Sequence, residues 1–263
     1  MNLLVCIKQV PASSKVDVDP KTGVLIRDGL NVKMNPYDLY ALEAAFAIKE
    51  NYESTTITAI TMGPNSAKSV LEEALYMGCD EAVLLSDRRF AGADVLATAY
   101  TLSQLIKALG VPDLIICGKQ TTDGDTAQVG PEIAEFLGIP HLAYVIETSN
   151  YNDKTIRLRN SYDTYDEINE VQLPCLITVD KGDWIPRLPS YKRKVNFKDY
   201  QIRTLTLKDL VDQDPKNYGL NGSPTQVEEI FPPDKSNTSI NIEGSKEELA
   251  KKMFDILKKG KFI

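Results

Sequence analysis

Residues 118–126, Gly-Lys-Gln-Thr-Thr-Asp-Gly-Asp-Thr, place two glycines, three threonines, two aspartates and one lysine in nine positions. Gly118 and Gly124 allow a backbone to come close to a ligand. The hydroxyls of Thr121, Thr122 and Thr126 suit a phosphate or a ribose, and Lys119 brings the one positive charge of the stretch. Asp123 and Asp125 would repel a phosphate, so their expected partners are helix N–H groups, a ribose hydroxyl or an amine. Gln120 lies within the loop, and Ala127, Gln128 and Val129 lead into a helical pattern that ends at Gly138. This is the chemistry of an anion or nucleotide cradle at a helix N-terminus. A well-capped polar turn between a strand and a helix has the same composition, and on the residues alone both readings stand.

The chain carries no G-x-x-x-x-G-K-[ST] loop, no G-x-G-x-x-G fingerprint and no G-x-S-x-G elbow. Its single histidine, His141, follows Pro140 in an apolar setting and reads as a packed surface residue, not as a catalytic base. Asp163 and Asp166 fall in a hairpin pattern, where carboxylates are usually solvated. Cys6, Cys79, Cys117 and Cys175 are widely spaced with no C-x-x-C pair, so reduced, buried thiols are expected, with no metal or cluster site. Without a self-sufficient catalytic set, the chemistry is expected to come from a cofactor.

The 263 residues are 43% hydrophobic and 25% charged, enough for one large or two modest domains with a real core. A formal net charge of −7 argues against nucleic acid or an anionic membrane as partner. The apolar run at residues 3–7 is too short for a signal peptide and no stretch approaches a membrane span, so a soluble, cytoplasmic protein is expected.

The elements that must position the loop follow from apolar patterning. Short β-prone runs at 3–7, 56–61, 82–86 and 114–117 alternate with helical stretches. Asn35-Pro36-Tyr37-Asp38 supplies an N-cap, a proline at the first helical position and an acid at the third. Asn65 is expected to cap a helix running to Met77, and Ala93 to Leu109 forms another, ended by Gly110. The alternation predicts a doubly wound, mostly parallel α/β sheet. Beyond Gly138, residues 154–159 and 162–179 alternate like half-exposed strands and predict an added antiparallel hairpin. From about residue 200 the chain has little core of its own, then closes on a helix with Ser245 and Glu248 as a capping box and Leu249, Met253, Ile256 and Leu257 as an apolar stripe. The predicted organisation is an α/β domain over 1–199, with a loop at 180–194, and a C-terminal arm over 200–263 laid across a partner.

LLVCIKQVP at 3–11, MNPYDLYALEAA at 34–45, TMGP at 61–64, ALYMGCDEAVLL at 74–85 and CGKQTTDGDTAQVGPEIAEFLG at 117–138 occur in register with PRLPSYKRK at 186–194. Together they resemble the β subunit of an electron transfer flavoprotein over essentially the whole chain. The resemblance implies an adenine-nucleotide-binding α/β fold, a heterodimer with an α subunit and an arm embracing that subunit. It places the nucleotide site on Cys6; on Asn35, Pro36, Tyr37 and Asp38; on Met62; and on the run from Gly118 to Val129. Cys6 would act through its small size and backbone. It also implies a loop that docks partner dehydrogenases through Leu188, rimmed by Lys192, Arg193 and Lys194.

Two branches of that family differ in what the β subunit holds. One carries AMP as a structural ligand. The other binds FAD there, takes a hydride from NADH and splits the electron pair between ferredoxin or flavodoxin and, through the α-subunit FAD, a dehydrogenase. Asp123-Gly124-Asp125-Thr126 and the Asp38-Leu39-Tyr40 of the first helix resemble the bifurcating branch, and that branch is the expectation. The partner dehydrogenase is left open among acyl-CoA, enoyl-CoA-type and 2-hydroxyacid enzymes, and the chain is not expected to be active alone. Changing Asp123 or Asp125 to Asn is expected to alter flavin potentials. An ATP-using enzyme or nucleotide sensor of similar fold would need a phosphate loop after the first strand, and CIKQVP is not one.

Overall fold

Strands form in this chain where apolar runs can be covered on both faces. The computed structural model describes residues 1–12, 32–52, 54–149, 151–152, 154–228 and 241–263. Its main sheet contains β1 (Asn2–Cys6), β4 (Thr56–Met62), β5 (Glu81–Leu85), β6 (Leu114–Gly118), β7 (His141–Ser149), β8 (Thr155–Ser161), β9 (Asp166–Gln172), β10 (Cys175–Val179) and β11 (Arg203–Leu205). The spatial order is β11-β5-β4-β1-β6-β10-β7-β8-β9. Pairing is parallel from β11 to β7 and antiparallel across β7, β8 and β9. The short strands β2 (Gln9–Pro11) and β3 (Val32–Met34) form a separate antiparallel pair. This is the doubly wound, mostly parallel sheet that the alternation predicts.

Alternate residues of each strand feed opposite cores. Leu3, Val5, Ile57, Leu114, Ile116 and Ile177 pack beneath helices α1 (Pro36–Asn51) and α2 (Lys68–Met77). Leu4, Ile60, Val83, Leu85, Ile115 and Leu176 pack beneath α3 (Val95–Leu109) and α4 (Val129–Leu137). Burying each such side chain contributes about 1.5–3 kcal/mol, so the central strands are held from both sides.

Several local expectations are corrected. Residues 175–179 are not part of a half-exposed hairpin: β10 is buried throughout and lies in parallel between β6 and β7. The run Cys-Leu-Ile-Thr-Val is continuous in its apolar character, unlike the alternating β8 and β9 that do form the antiparallel addition. Asn65 does not cap α2; it opens a 3-10 turn, Asn65–Ala67, ahead of the helix. At α3 the cap is Asp94, whose carboxylate accepts the Ala97 N–H.

The chain divides into compact units Met1–Glu228 and Glu229–Ile263. The boundary expected after residue 199 falls inside the first unit, because β11 adds to the sheet beside β5 and buries Leu205. Leu207, Leu210 and a fully buried Tyr218 follow it into the core, the tyrosine ring packing 5.5 Å from Phe90 and 5.6 Å from Tyr100. Of the expected arm, residues 229–240 lie outside the described residues. The first unit also carries the short helix α5 (Tyr191–Asn196), and the second contains α6 (Lys246–Lys259), which has the Ser245/Glu248 capping box and exposes Leu249, Met253, Phe254 and Ile256. Among the described residues no helix is long and apolar enough to cross a membrane.

Candidate functional site

β1 has β4 on one side and β6 on the other, so the connections reverse direction at this strand. Open α/β sheets bind ligands beyond the carboxyl ends of strands at such a point. Here the crevice is walled by Cys6 at the end of β1, the start of α1 at Asn35–Asp38, and the loop that leaves β6 at Gly118 and enters α4 at Val129.

The loop is pinned by buried polar groups. The Asn35 amide donates to the Gln120 carbonyl at 2.8 Å and to Asp38 Oδ1 at 2.9 Å, while its oxygen accepts the Thr122 N–H at 3.2 Å. Asn35 therefore does not cap α1 with its side chain. Asp38 Oδ2 accepts the Lys8 N–H at 2.7 Å. Burial pushes the Asp38 carboxyl up to about 7, against the lowering pull of the Asn35 and Lys8 hydrogen bonds and the Lys8 charge. Gly118 is obligatory at this spot: a Cβ there would lie 2.4 Å from Asp38 Oδ1 and 2.8 Å from the Tyr37 carbonyl carbon.

Neither loop aspartate caps α4. Asp123 binds the Lys8 ammonium at 2.8 Å, and Asp125 accepts from the Gln120 side-chain amide. Burial raises the Asp123 carboxyl, but the Lys8 hydrogen bond and charge outweigh it and hold the group below the usual carboxylate range. Lys119 is likewise not free: it pairs with Asp180 at 2.8 Å and lies 5.0 Å from the centre of the Tyr144 ring. Lys8 and Asp180 were not anticipated from sequence. Each lies within two residues of the end of a parallel strand, the one signal by which either is found.

Two non-glycine residues of the loop, Asp125 and Ala127, have φ of 56°, and Tyr144 beside Lys119 has φ of 59°. Such conformations cost on the order of 1–3 kcal/mol each and cluster at ligand sites. After Ala127 the chain enters α4, whose N-terminus has no side-chain cap. Helix N–H groups left without a cap, next to a backbone of reversed φ, form an anion-binding concavity. Gly130 lets that helix end lie against β10, since a Cβ there would be 2.6 Å from Thr178 Cγ2. Thr121, Thr126 and Gly124 are on the accessible side of the loop, and a Cβ at Gly124 would meet only the Thr121 hydroxyl, at 3.2 Å.

Pro36 and Tyr37 open α1 and Gln128 immediately precedes α4, whereas Met62 stands one strand away at the end of β4. Cys6 pairs in register with Cys117, whose thiol is pushed well up by the neighbouring Cys6 thiol and by burial; no thiolate chemistry arises from Cys117. Leu188 belongs to a different surface. Its segment is pinned to α1 by Arg187, which binds Glu43 at 2.7 Å and Glu50 at 2.9 Å, leaving Leu188 87% exposed beside Ile185 and Tyr191. Arg193 is not a free rim charge, since its guanidinium donates to the carbonyls of Leu75 and Cys79 and stacks on Phe197. A cavity of about 590 Å³ lies at the opposite, amino ends of β1, β4 and β5, near Thr56, Glu81 and Arg203, away from the crevice.

The half-exposed Lys8–Asp123 pair allows a direct check. Lys8→Ala is expected to cost no more than about 1 kcal/mol of stability, and less in high salt. Denaturant titrations at two ionic strengths measure this; a salt-independent loss above about 2 kcal/mol would mean that the pair holds the loop.

The sheet, its switch point and the strained loop ahead of an uncapped helix define a doubly wound α/β protein whose polar crevice sits where such folds take their ligands. The model of the electron transfer flavoprotein domain matches residues 22–204, and the chain belongs to that family. It is 47% identical over 227 residues to the electron transfer flavoprotein subunit beta of Clostridium acetobutylicum, covering 86% of each chain. It is 44% identical over 245 residues to the caffeyl-CoA reductase-Etf complex subunit CarD of Acetobacterium woodii, covering 93% of each. Protein FixA of Azorhizobium caulinodans is 40% identical over 239 residues, 89% of this chain and 85% of that protein.

Proposed function

We propose that the chain is the β subunit of a bifurcating electron transfer flavoprotein. In this reading it pairs with an α subunit, holds FAD in the crevice, receives a hydride from NADH, and delivers electrons both to ferredoxin or flavodoxin and, by way of the α-subunit FAD, to a dehydrogenase. The observation that carries the nucleotide site is the uncapped N-terminus of α4 directly after the positive-φ residues Asp125 and Ala127. Phosphate oxygens fit its N–H groups, with the hydroxyls of Thr121, Thr122 and Thr126 available to phosphate or ribose. When bound, FAD supplies the hydride and one-electron chemistry for which this chain has no side chain. The chain's own part is to bind, orient and tune: Gly118 permits close packing, and Lys8 and Asp123 set a balanced charge pair at the loop.

The FAD reading, as opposed to AMP, is supported by the Asp-Gly-Asp-Thr loop, by the open space at Gly124, and by the likeness to CarD, a protein named for a caffeyl-CoA reductase-Etf complex. The AMP reading uses the same phosphate cradle and is the alternative. Leu188, exposed on a segment fixed by Arg187, suits an anchor for an acyl-CoA, enoyl-CoA-type or 2-hydroxyacid dehydrogenase. The exposed apolar side chains of α6 suit the α subunit as their cover. The test is to purify the heterodimer, release its nucleotides by denaturation and quantify them. Two FAD and no AMP per heterodimer is the expected result; one FAD with one AMP would leave a simple electron carrier, and an empty β subunit would overturn the nucleotide site itself.

A further inference from the structure

We propose that Asn35 and Asp38 are positioning residues, whose side chains hold the Gly118–Thr122 backbone in its ligand-binding course without touching the ligand. The proposal rests on the nucleotide reading of the crevice, and it departs from the expectation that these two residues contact the nucleotide. Asn35 is 0% exposed and Asp38 is 4% exposed, so neither side chain has surface to present. Their hydrogen-bonding capacity is also committed within the protein. Both amide protons of Asn35 are used, one toward the Gln120 carbonyl and one toward Asp38 Oδ1, and its oxygen takes the Thr122 N–H. Asp38 takes the Lys8 N–H on Oδ2, and its Oδ1 lies against Gly118, where a Cβ would find no room.

The result is a polar hub joining segments far apart in sequence: the end of β1, the start of α1 and the loop after β6. A buried amide that satisfies both a carbonyl and an N–H of one loop fixes that loop's direction as well as its place. Contacts to ligand then fall to what the hub leaves outside, namely the threonine hydroxyls, the loop N–H groups and the first turn of α4.

The experiment uses the heterodimer, unaltered and with Asn35→Ala, with Asn35→Ser as the milder variant should the first fail to fold. Amide hydrogen exchange is followed in complex stripped of nucleotide, and affinities for AMP and for FAD are measured separately. Residues 118–126 are expected to exchange about tenfold faster or more in the variants, with β7 to β9 unchanged and nucleotide affinity reduced by a similar factor. Reduced affinity with unchanged exchange would show that Asn35 touches the ligand and would overturn the proposal. Unchanged affinity despite faster exchange would overturn it as well. If the unaltered complex takes up neither AMP nor FAD, the nucleotide reading fails, while the exchange comparison still decides whether Asn35 holds the loop.

Discussion

Gly118→Ala is expected to destabilise the protein by about 1–3 kcal/mol or more and, on the proposed reading of the crevice, to empty it of nucleotide. The added methyl would lie 2.4 Å from Asp38 Oδ1, 2.8 Å from the Tyr37 carbonyl carbon and 2.9 Å from the Asp38 N. Two of those atoms are backbone at the start of α1 and cannot swing aside. Relief requires α1 and the end of β6 to separate, which breaks the Asn35 and Asp38 hydrogen bonds that carry the loop. Gly124→Ala is the matched control, because its methyl would meet only the Thr121 hydroxyl, at 3.2 Å. Thermal or denaturant unfolding, with nucleotide content of the purified complex, compares the two. Equal losses would show that the tight contact at Gly118 has no special role.

Stability is expected to fall as pH rises from about 4 to about 7. The folded-state value of Asp38 is raised to about 7, while an unfolded aspartate titrates near 3.9. Between these values the native state keeps a proton that the unfolded chain has lost, so raising pH favours unfolding. The penalty is fully present above pH 7 and relieved below about pH 4. Roughly three units at 1.36 kcal/mol each amount to a span on the order of 4 kcal/mol. Glu73 and Glu132 are raised by burial and contribute with the same sign. Asp123 and Asp94 are lowered and act at the acid end, where their contribution is lost as pH falls. The measurement is therefore a comparison: Asp38→Asn should flatten the slope between pH 5 and 7, and an identical slope in both proteins would refute the assignment.

The parallel core was legible because its strands are uniformly apolar and its helices end at Gly110 and Gly138. Residues 203–222 were not legible as core. Their few apolar side chains are separated by polar ones and become an element only by pairing with β5 and packing against Phe90 and Tyr100. β10 is hard to separate by pattern because its five largely apolar residues follow closely on the alternating run of β9. In the crevice, the glycines and threonines announced the loop by type, but the partners of its charges did not. Lys8 reaches Asp123 across 115 positions and Asp180 reaches Lys119 across 61, distances at which sequence carries no pairing signal. Asn35 does hold the N-cap position before Pro36, as its type and place predict, but long-range partners at Gln120 and Thr122 take its side chain.

The central position of β1 also bears on the order in which the molecule assembles. Its first neighbour, β4, follows within about the next fifty residues, and its other neighbour, β6, comes only after residue 113. Closing the longer loop costs more chain entropy and slows the approach. A third of the main sheet, β1, β4 and β5, therefore precedes the crevice in the chain, and a chain halted before Leu114 has Lys8, Asn35 and Asp38 with no loop to hold. The loop and its hub can meet only once β6 has joined β1, so that one strand pairing decides whether the crevice forms.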